Sequence, residues 1–274
     1  MIQRIISALI ALPVALSLIH QGGWWFTGLI MFATAVCCFE FSMMVGPDDR
    51  PTGILAALLG AAGIYGIAIG AATGPEMLAI VAFIVMVFIL WFLFRPGAIE
   101  TAGYRLGVTL AGIFWSVLLM SGLLYLRFLP DSGLAWLYLA CALAWGSDTG
   151  AYFAGKYLGN KKLYPAVSPK KTWAGAVGGV ISATAIAFAV QHFFSAPAIP
   201  VSHLLGLGIV GSALGQMGDL SESLIKRSMG VKDSGKIMPG HGGLLDRVDA
   251  LFFTGTWLFV YAALFVGDKP TWLG

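Results

Sequence analysis

Asp219, Glu222, Ser223 and Lys226 stand at i, i+3, i+4 and i+7, which on a helix is one polar stripe along an otherwise apolar segment. Asp246 and Asp249 stand at i and i+3 and open a further apolar segment on a single face. Between the two segments Gly230, Gly235, Gly240, Gly242 and Gly243 punctuate the chain, so the middle reads as a turn-rich loop. Residues 219–249 hold five of the 13 acids and five of the 16 bases in the sequence. Charge this dense between hydrophobic walls costs free energy to keep, and function is the default reason to keep it.

A second charged region lies upstream. Asp148, Tyr152 and Lys156 follow at i, i+4 and i+8 on one helix face, and the loop beyond supplies Lys161, Lys162, Lys170 and Lys171. Ser168-Pro169 and Thr172 read as a positioned turn. Carboxylates with no His or Cys partners suit a hard cation such as Mg²⁺, which takes oxygen ligands and bridges to substrate phosphates. Lysines, arginines and flexible glycines suit a polyphosphate, because ammonium heads and backbone N–H groups neutralise several negative charges at once. Acid and base together point to phosphoryl or nucleotidyl transfer at a membrane surface, where positioning and charge neutralisation carry most of the reaction. An ion-coupled transporter is the competing reading, since it also needs buried acids. Its acids usually sit near the bilayer midplane between internal repeats, and no repeat is visible here. Walker A and Gly-x-Ser-x-Gly elements are absent from the sequence.

The elements that must position these residues are membrane helices. Hydrophobic residues make up 58% of the 274, charged residues only 11%, and the mean hydropathy is +0.86. That composition predicts an all-α polytopic integral membrane protein. Nine apolar segments are expected, at 2–20, 24–45, 52–73, 76–94, 104–127, 134–155, 173–194, 203–225 and 248–266. A cytoplasmic N-terminus then puts fourteen of the 16 Lys and Arg residues on the inner side, with Arg127 and Lys269 outside. The C-terminus falls outside, and both charged loops, 156–172 and 226–247, face the cytoplasm. The chain divides into packing helices at 1–130 and a catalytic region at 131–274. A net charge of +3 concentrated at one membrane face excludes a nucleic-acid partner. Cys37, Cys38 and Cys141 read as buried small hydrophobes. Trp24, Trp25, Trp136 and Trp272 are expected in an aromatic belt. Gly66/Gly70/Gly74, Gly175/Gly179 and Gly211/Gly215 are expected to mark close helix contacts, and such faces also fit a homodimer. Glu40, inside the second segment, reads either as a functional buried acid or, the favoured reading, as an acid that pairs with a neighbouring helix or reaches the interface.

Two stretches carry a family resemblance. Ser223-Leu-Ile-Lys226-Arg227, then Lys232-Asp233-Ser-Gly235, then Pro239-Gly240-His241-Gly242-Gly243-Leu-Leu-Asp246-Arg247-Val-Asp249 resembles the motif of the phosphatidate cytidylyltransferases, or CDP-diacylglycerol synthases. Ser147-Asp148-Thr-Gly150-Ala-Tyr152 and Ser168-Pro-Lys-Lys171-Thr172-Trp173 resemble the family's second region, in the same order and spacing. The resemblance implies that CTP and phosphatidic acid give CDP-diacylglycerol and pyrophosphate for phospholipid synthesis. Mg²⁺, with room for a second cation, would bridge an in-line attack of the lipid phosphate on the α-phosphorus. It implies a multi-pass protein of a bacterial-type inner or plasma membrane. On this reading Asp219, Asp246, Asp249 and Asp148 are the metal ligands, and Asp219, Lys226, Asp246, Asp249 and His241 form the catalytic set. Asp148, Tyr152, Ser168, Lys171, Thr172, Ser223, Arg227, Lys232, Asp233, Gly240, Gly242, Gly243 and Arg247 would bind substrate. Ala174 departs from the family, which commonly has Glu after the Thr-Trp pair. Another CTP-dependent lipid enzyme, such as a lipid kinase, would use the same groups.

Overall fold

The computed structural model describes residues 2–70, 75–194, 199–238 and 242–266. Two compact units emerge among the described residues: those up to Leu124 join with 233–238 and 242–245, and Tyr125–Lys232 joins with 246–266. The stretch 233–245, assigned by sequence to the catalytic half, therefore packs with the N-terminal helices.

The first unit is built from α1 (Ile2–Gln21), α2 (Gly23–Val45), α3 (Arg50–Ala68), α4 (Pro75–Phe94) and most of α5 (Ile99–Arg127). Gly22 and Gly23, both at positive φ, break the chain between α1 and α2. Asp49 caps α3, its Oδ2 accepting from the Thr52 hydroxyl at 2.7 Å, and Trp91 of α4 donates its indole N–H to the same hydroxyl at 2.8 Å. Cys37 and Cys38 are buried and free, as expected. Gly70 sits at positive φ just past α3 and ends the helix; Gly74 lies outside the described residues.

The second unit holds α6 (Gly133–Leu158), strands β1 (Lys162–Tyr164) and β2 (Ser168–Thr172), α7 (Trp173–Phe194), α8 (Val201–Ser228) and α9 (Leu245–Tyr261), which runs into a wider π turn at Ala262–Val266. α6 and α7 approach closely because small residues line their seam. A side chain at Gly150 would strike Ser182 and the Gly178 carbonyl, and one at Gly178 would strike Ala154. Gly179 lies against Ser147, and Gly215 lies against Thr254 and Ala250 of α9, so these glycines do mark helix contacts. Trp136 is fully buried, where the sequence suggested an interfacial residue. Its ring packs against Tyr261.

The nine α-helices among the described residues fall on the nine predicted segments. Six of them, α2, α3, α4, α5, α7 and α9 with its π turn, are long and apolar enough to cross a membrane. α6 and α8 are long too, but their carboxylates and lysines lower their hydropathy. The expectation of an all-α chain needs one amendment: β1 and β2 form an antiparallel hairpin, pairing Tyr164 with Ser168 and Lys162 with Thr172. Pro165 presets the turn between them, closed by Val167 N–H to the Tyr164 carbonyl at 3.3 Å, and Pro169 favours extended backbone before it.

Candidate functional site

In the second unit α6, the hairpin, α7 and α8 enclose a cavity of about 410 Å³. Asp148 and Tyr152 come from α6, Lys170, Lys171 and Thr172 from β2, and Gln216 and Asp219 from α8. Helical spacing explains the walls: Asp148, Tyr152 and Lys156 lie on one face of α6, and Lys156 sits over the Tyr152 ring at 5.8 Å. Thr172 is the last strand residue and the cap of α7, its hydroxyl accepting from Gly175 N–H at 3.1 Å. That bond ties the hairpin's lysines to the start of a helix. Ala174 follows in the first turn of α7.

Lys171 Nζ meets Asp219 Oδ2 at 2.7 Å as an ion pair outside hydrogen-bond geometry, with both side chains about a quarter exposed, 25% and 30%. Ser223 donates to the other carboxylate oxygen of Asp219 at 3.4 Å. Below the cavity floor Gln216 donates toward Ser147, Ser212 and the Ala176 carbonyl, and Ser147 and Ser212 stand 2.7 Å apart. A chain of polar groups thus crosses the interior of α6, α7 and α8.

One turn further along α8, Lys226 is buried between two carboxylates, Glu222 Oε2 and Asp246 Oδ1, each at 2.5 Å. Lys226 lies past the predicted span 203–225. Burial alone would lower its pKa, but Glu222 and Asp246 outweigh burial and hold it above the ordinary lysine range. It remains an ammonium at physiological pH and fastens α8 to the start of α9. Glu222 keeps a second buried oxygen, Oε1, without a hydrogen bond.

The acids are close enough to act on one another. Asp148 feels the charges of Asp219, Lys171 and Arg247, while Asp249 feels those of Asp219 and Asp148. Asp249 Oδ1 also accepts from Ala250 N–H at 2.7 Å. The acids of α6, α8 and α9 offer hard oxygen donors, the kind Mg²⁺ takes. Among the described residues no three His, Cys, Asp or Glu side chains converge tightly enough to share one ion, and Lys171 and Lys226 pair with three of the acids.

Other predicted residues lie apart from this cluster. Ser168 opens β2 and does not line the cavity. Arg227 donates to the Val231 carbonyl at 2.9 Å, closing the turn after α8, and Lys232 is exposed. Asp233, Gly242 and Gly243 belong to the first unit. Gly240 and His241 lie outside the described residues.

In that first unit the glycine-rich stretch folds around Glu40 of α2. The carboxylate accepts from Leu244 N–H at 3.0 Å, Leu245 N–H at 2.9 Å and the Ser234 hydroxyl at 3.0 Å. Glu40 is buried, and through the Leu245 N–H it pairs with the first residue of α9, a helix start whose N–H donors have no intrahelical acceptor. An acid inside an apolar segment was the available signal for it. Gln216, three residues before Asp219 on the same stripe, was equally legible by spacing and passed over. Glu222 stood in the stripe without an assigned role.

Comparison with known proteins places this arrangement. The Cytidylyltransferase family matches residues 2–265. The chain is similar to the phosphatidate cytidylyltransferase of Staphylococcus aureus (strain COL), 32% identical over 257 residues covering 91% of this chain and 94% of that protein. It is also similar to the phosphatidate cytidylyltransferases of Bacillus subtilis (strain 168), 46% identical over 140 residues, and of Brucella suis biovar 1 (strain 1330), 40% identical over 165 residues. Those two alignments cover 51% and 59% of this chain, and 52% and 59% of the relatives' own length.

Proposed function

Because the chain belongs to the cytidylyltransferase family, we propose that it transfers the cytidylyl group of CTP to phosphatidic acid, giving CDP-diacylglycerol and pyrophosphate. The observation that carries this reading is the cavity where Asp148, Asp219 and Lys171 meet on three separate elements. Phosphatidate is already an anion near neutral pH, so its phosphate oxygen can attack the α-phosphorus without a strong general base. An oxygen–phosphorus bond forms as the bond to the departing pyrophosphate breaks, and repulsion between the two polyanions is the main obstacle.

The chain's own residues address that obstacle. Lys171 and Lys170 on the hairpin supply positive charge beside the cavity, and Arg247 acts near Asp148. Lys171 would exchange Asp219 for a phosphate, a swap that costs little at a partly exposed ion pair. Asp219, with Asp249, Asp148 and Asp246, would hold Mg²⁺, which when bound supplies charge neutralisation on the triphosphate. Gly242 and Gly243 give backbone N–H groups access to phosphate oxygens, and His241 and Gly240 complete that stretch. Tyr152, Thr172, Ser223, Arg227 and Lys232 would orient the two substrates.

The same reading includes nine membrane spans, a cytoplasmic N-terminus with the site on that side, and a homodimer joined through small-residue faces. The basic-residue asymmetry supports the orientation. Purified protein in detergent, given labelled CTP and phosphatidate, should yield a lipid-soluble CDP product only with a divalent cation. No product with either Mg²⁺ or Mn²⁺ would overturn the assignment, and a phosphorylated lipid without cytidine would make the protein a lipid kinase.

A further inference from the structure

Helix α2 carries one acid in its apolar length, and the glycine-rich stretch closes upon it. We infer that Glu40 is the positioning residue of the two limbs of this stretch, 233–238 and 242–245: it sets their backbone in the conformation that receives the nucleotide triphosphate, without touching substrate itself. The identity of the ligand rests on the cytidylyltransferase reading; the clamp does not.

Glu40 is only 2% exposed, and its carboxylate bonds to both limbs of the loop. Ser234 stands on the incoming limb, Leu244 and Leu245 on the outgoing one, all 194 to 205 residues away in sequence. The limbs also bond to each other through Met238 N–H and the Gly242 carbonyl at 3.0 Å. Two glycines exist to let the carboxylate in. A Cβ at Gly235 would lie 2.5 Å from Glu40 Oε1, and one at Gly243 would lie 2.5 Å from Oε2 and overlap the Ser234 hydroxyl. Backbone N–H groups at a helix start are strong donors to a carboxylate, and in a buried setting such bonds are charge-assisted. Both carboxylate oxygens are committed to the loop and shielded from solvent, so the acid orders backbone without presenting its charge to a phosphate.

The test compares full-length wild type with Glu40→Gln in detergent, by two readouts. Tryptic cleavage at the exposed Lys236 reports the loop directly, and steady-state kinetics report its use. Glu40→Gln keeps the shape but places an amide NH₂ against donors, so cleavage should quicken several-fold. KM for CTP should rise about tenfold while KM for phosphatidate stays within about twofold. Unchanged cleavage and unchanged KM for CTP overturn the inference. So does an equal rise in both KM values, which a general loss of structure would give. If Glu40→Gln does not remain monodisperse, Ser234→Ala decides: it removes one of the three donors and should shift cleavage and KM for CTP in the same direction, about threefold. Wild type that turns over no CTP would sink the cytidylyltransferase reading, while the cleavage readout would still decide the clamp.

Discussion

The two units hold their acids by different means. In the second unit the carboxylates are answered by side chains: Asp219 by Lys171, and Asp246 and Glu222 by Lys226. In the first, Glu40 is answered by backbone N–H groups and one hydroxyl. A side-chain ion pair open to water can trade one partner for a ligand at small cost. A buried carboxylate bonded to backbone has no such freedom, because each lost bond leaves a donor unsatisfied. Glu40 therefore fixes shape in the first unit, and the second unit holds both kinds of charge: a buried, fixed cluster at Lys226 and a partly exposed pair, Lys171 with Asp219, that can be redirected.

Substitutions can break or sharpen this contrast. The largest effect is expected from Asp219→Asn or Asp246→Asn, each of which should reduce turnover by at least about a hundredfold with folded protein recovered in near-normal yield. Near-normal rates in either variant would remove that acid from the ligand set. Lys226→Ala should be next, and it should act on stability as well: two buried carboxylates lose their common partner, which costs about 3 kcal/mol and should appear as a lowered thermal midpoint in detergent. Lys171→Ala should differ in kind, raising KM for CTP while leaving the midpoint almost unmoved, because its ion pair is partly exposed. If Lys171→Ala destabilised the protein as much as Lys226→Ala, the distinction between redirectable and fixed charges would fail. Thr172→Ala should have the smallest effect, about 1 kcal/mol from the lost α7 cap, with a modest loss of activity as the hairpin loosens.

Periodicity made much of this legible. The stripe from Asp219 to Lys226 and the face from Asp148 to Lys156 follow from 3.6 residues per turn, and the structure sets both on elements bordering or adjoining one cavity. The nine helical segments followed from apolar length. What stayed hidden depends on partners far apart in sequence. Nothing near Glu40 signals Leu244 and Leu245, and nothing near Trp136 signals Tyr261. The burial of Lys226 between Glu222 and Asp246 could not be read from its stripe, because it requires α9 to pack beside α8. The hairpin was missed because its strands are three and five residues long, below the reach of an alternation signal.

The small-residue seam between α6 and α7 has a mechanical consequence. With backbone pressed against backbone at Gly150, Gly155, Gly175 and Gly178, these two helices behave as a single beam, and the hairpin is a short handle fixed to its end by Thr172. Past Gln216, toward the handle, the described ion pair from that beam to α8 is Lys171 with Asp219, each side chain about a quarter exposed. A bulky anion entering the cavity would meet that ion pair, while the glycine seam leaves no slack between α6 and α7 to be taken up.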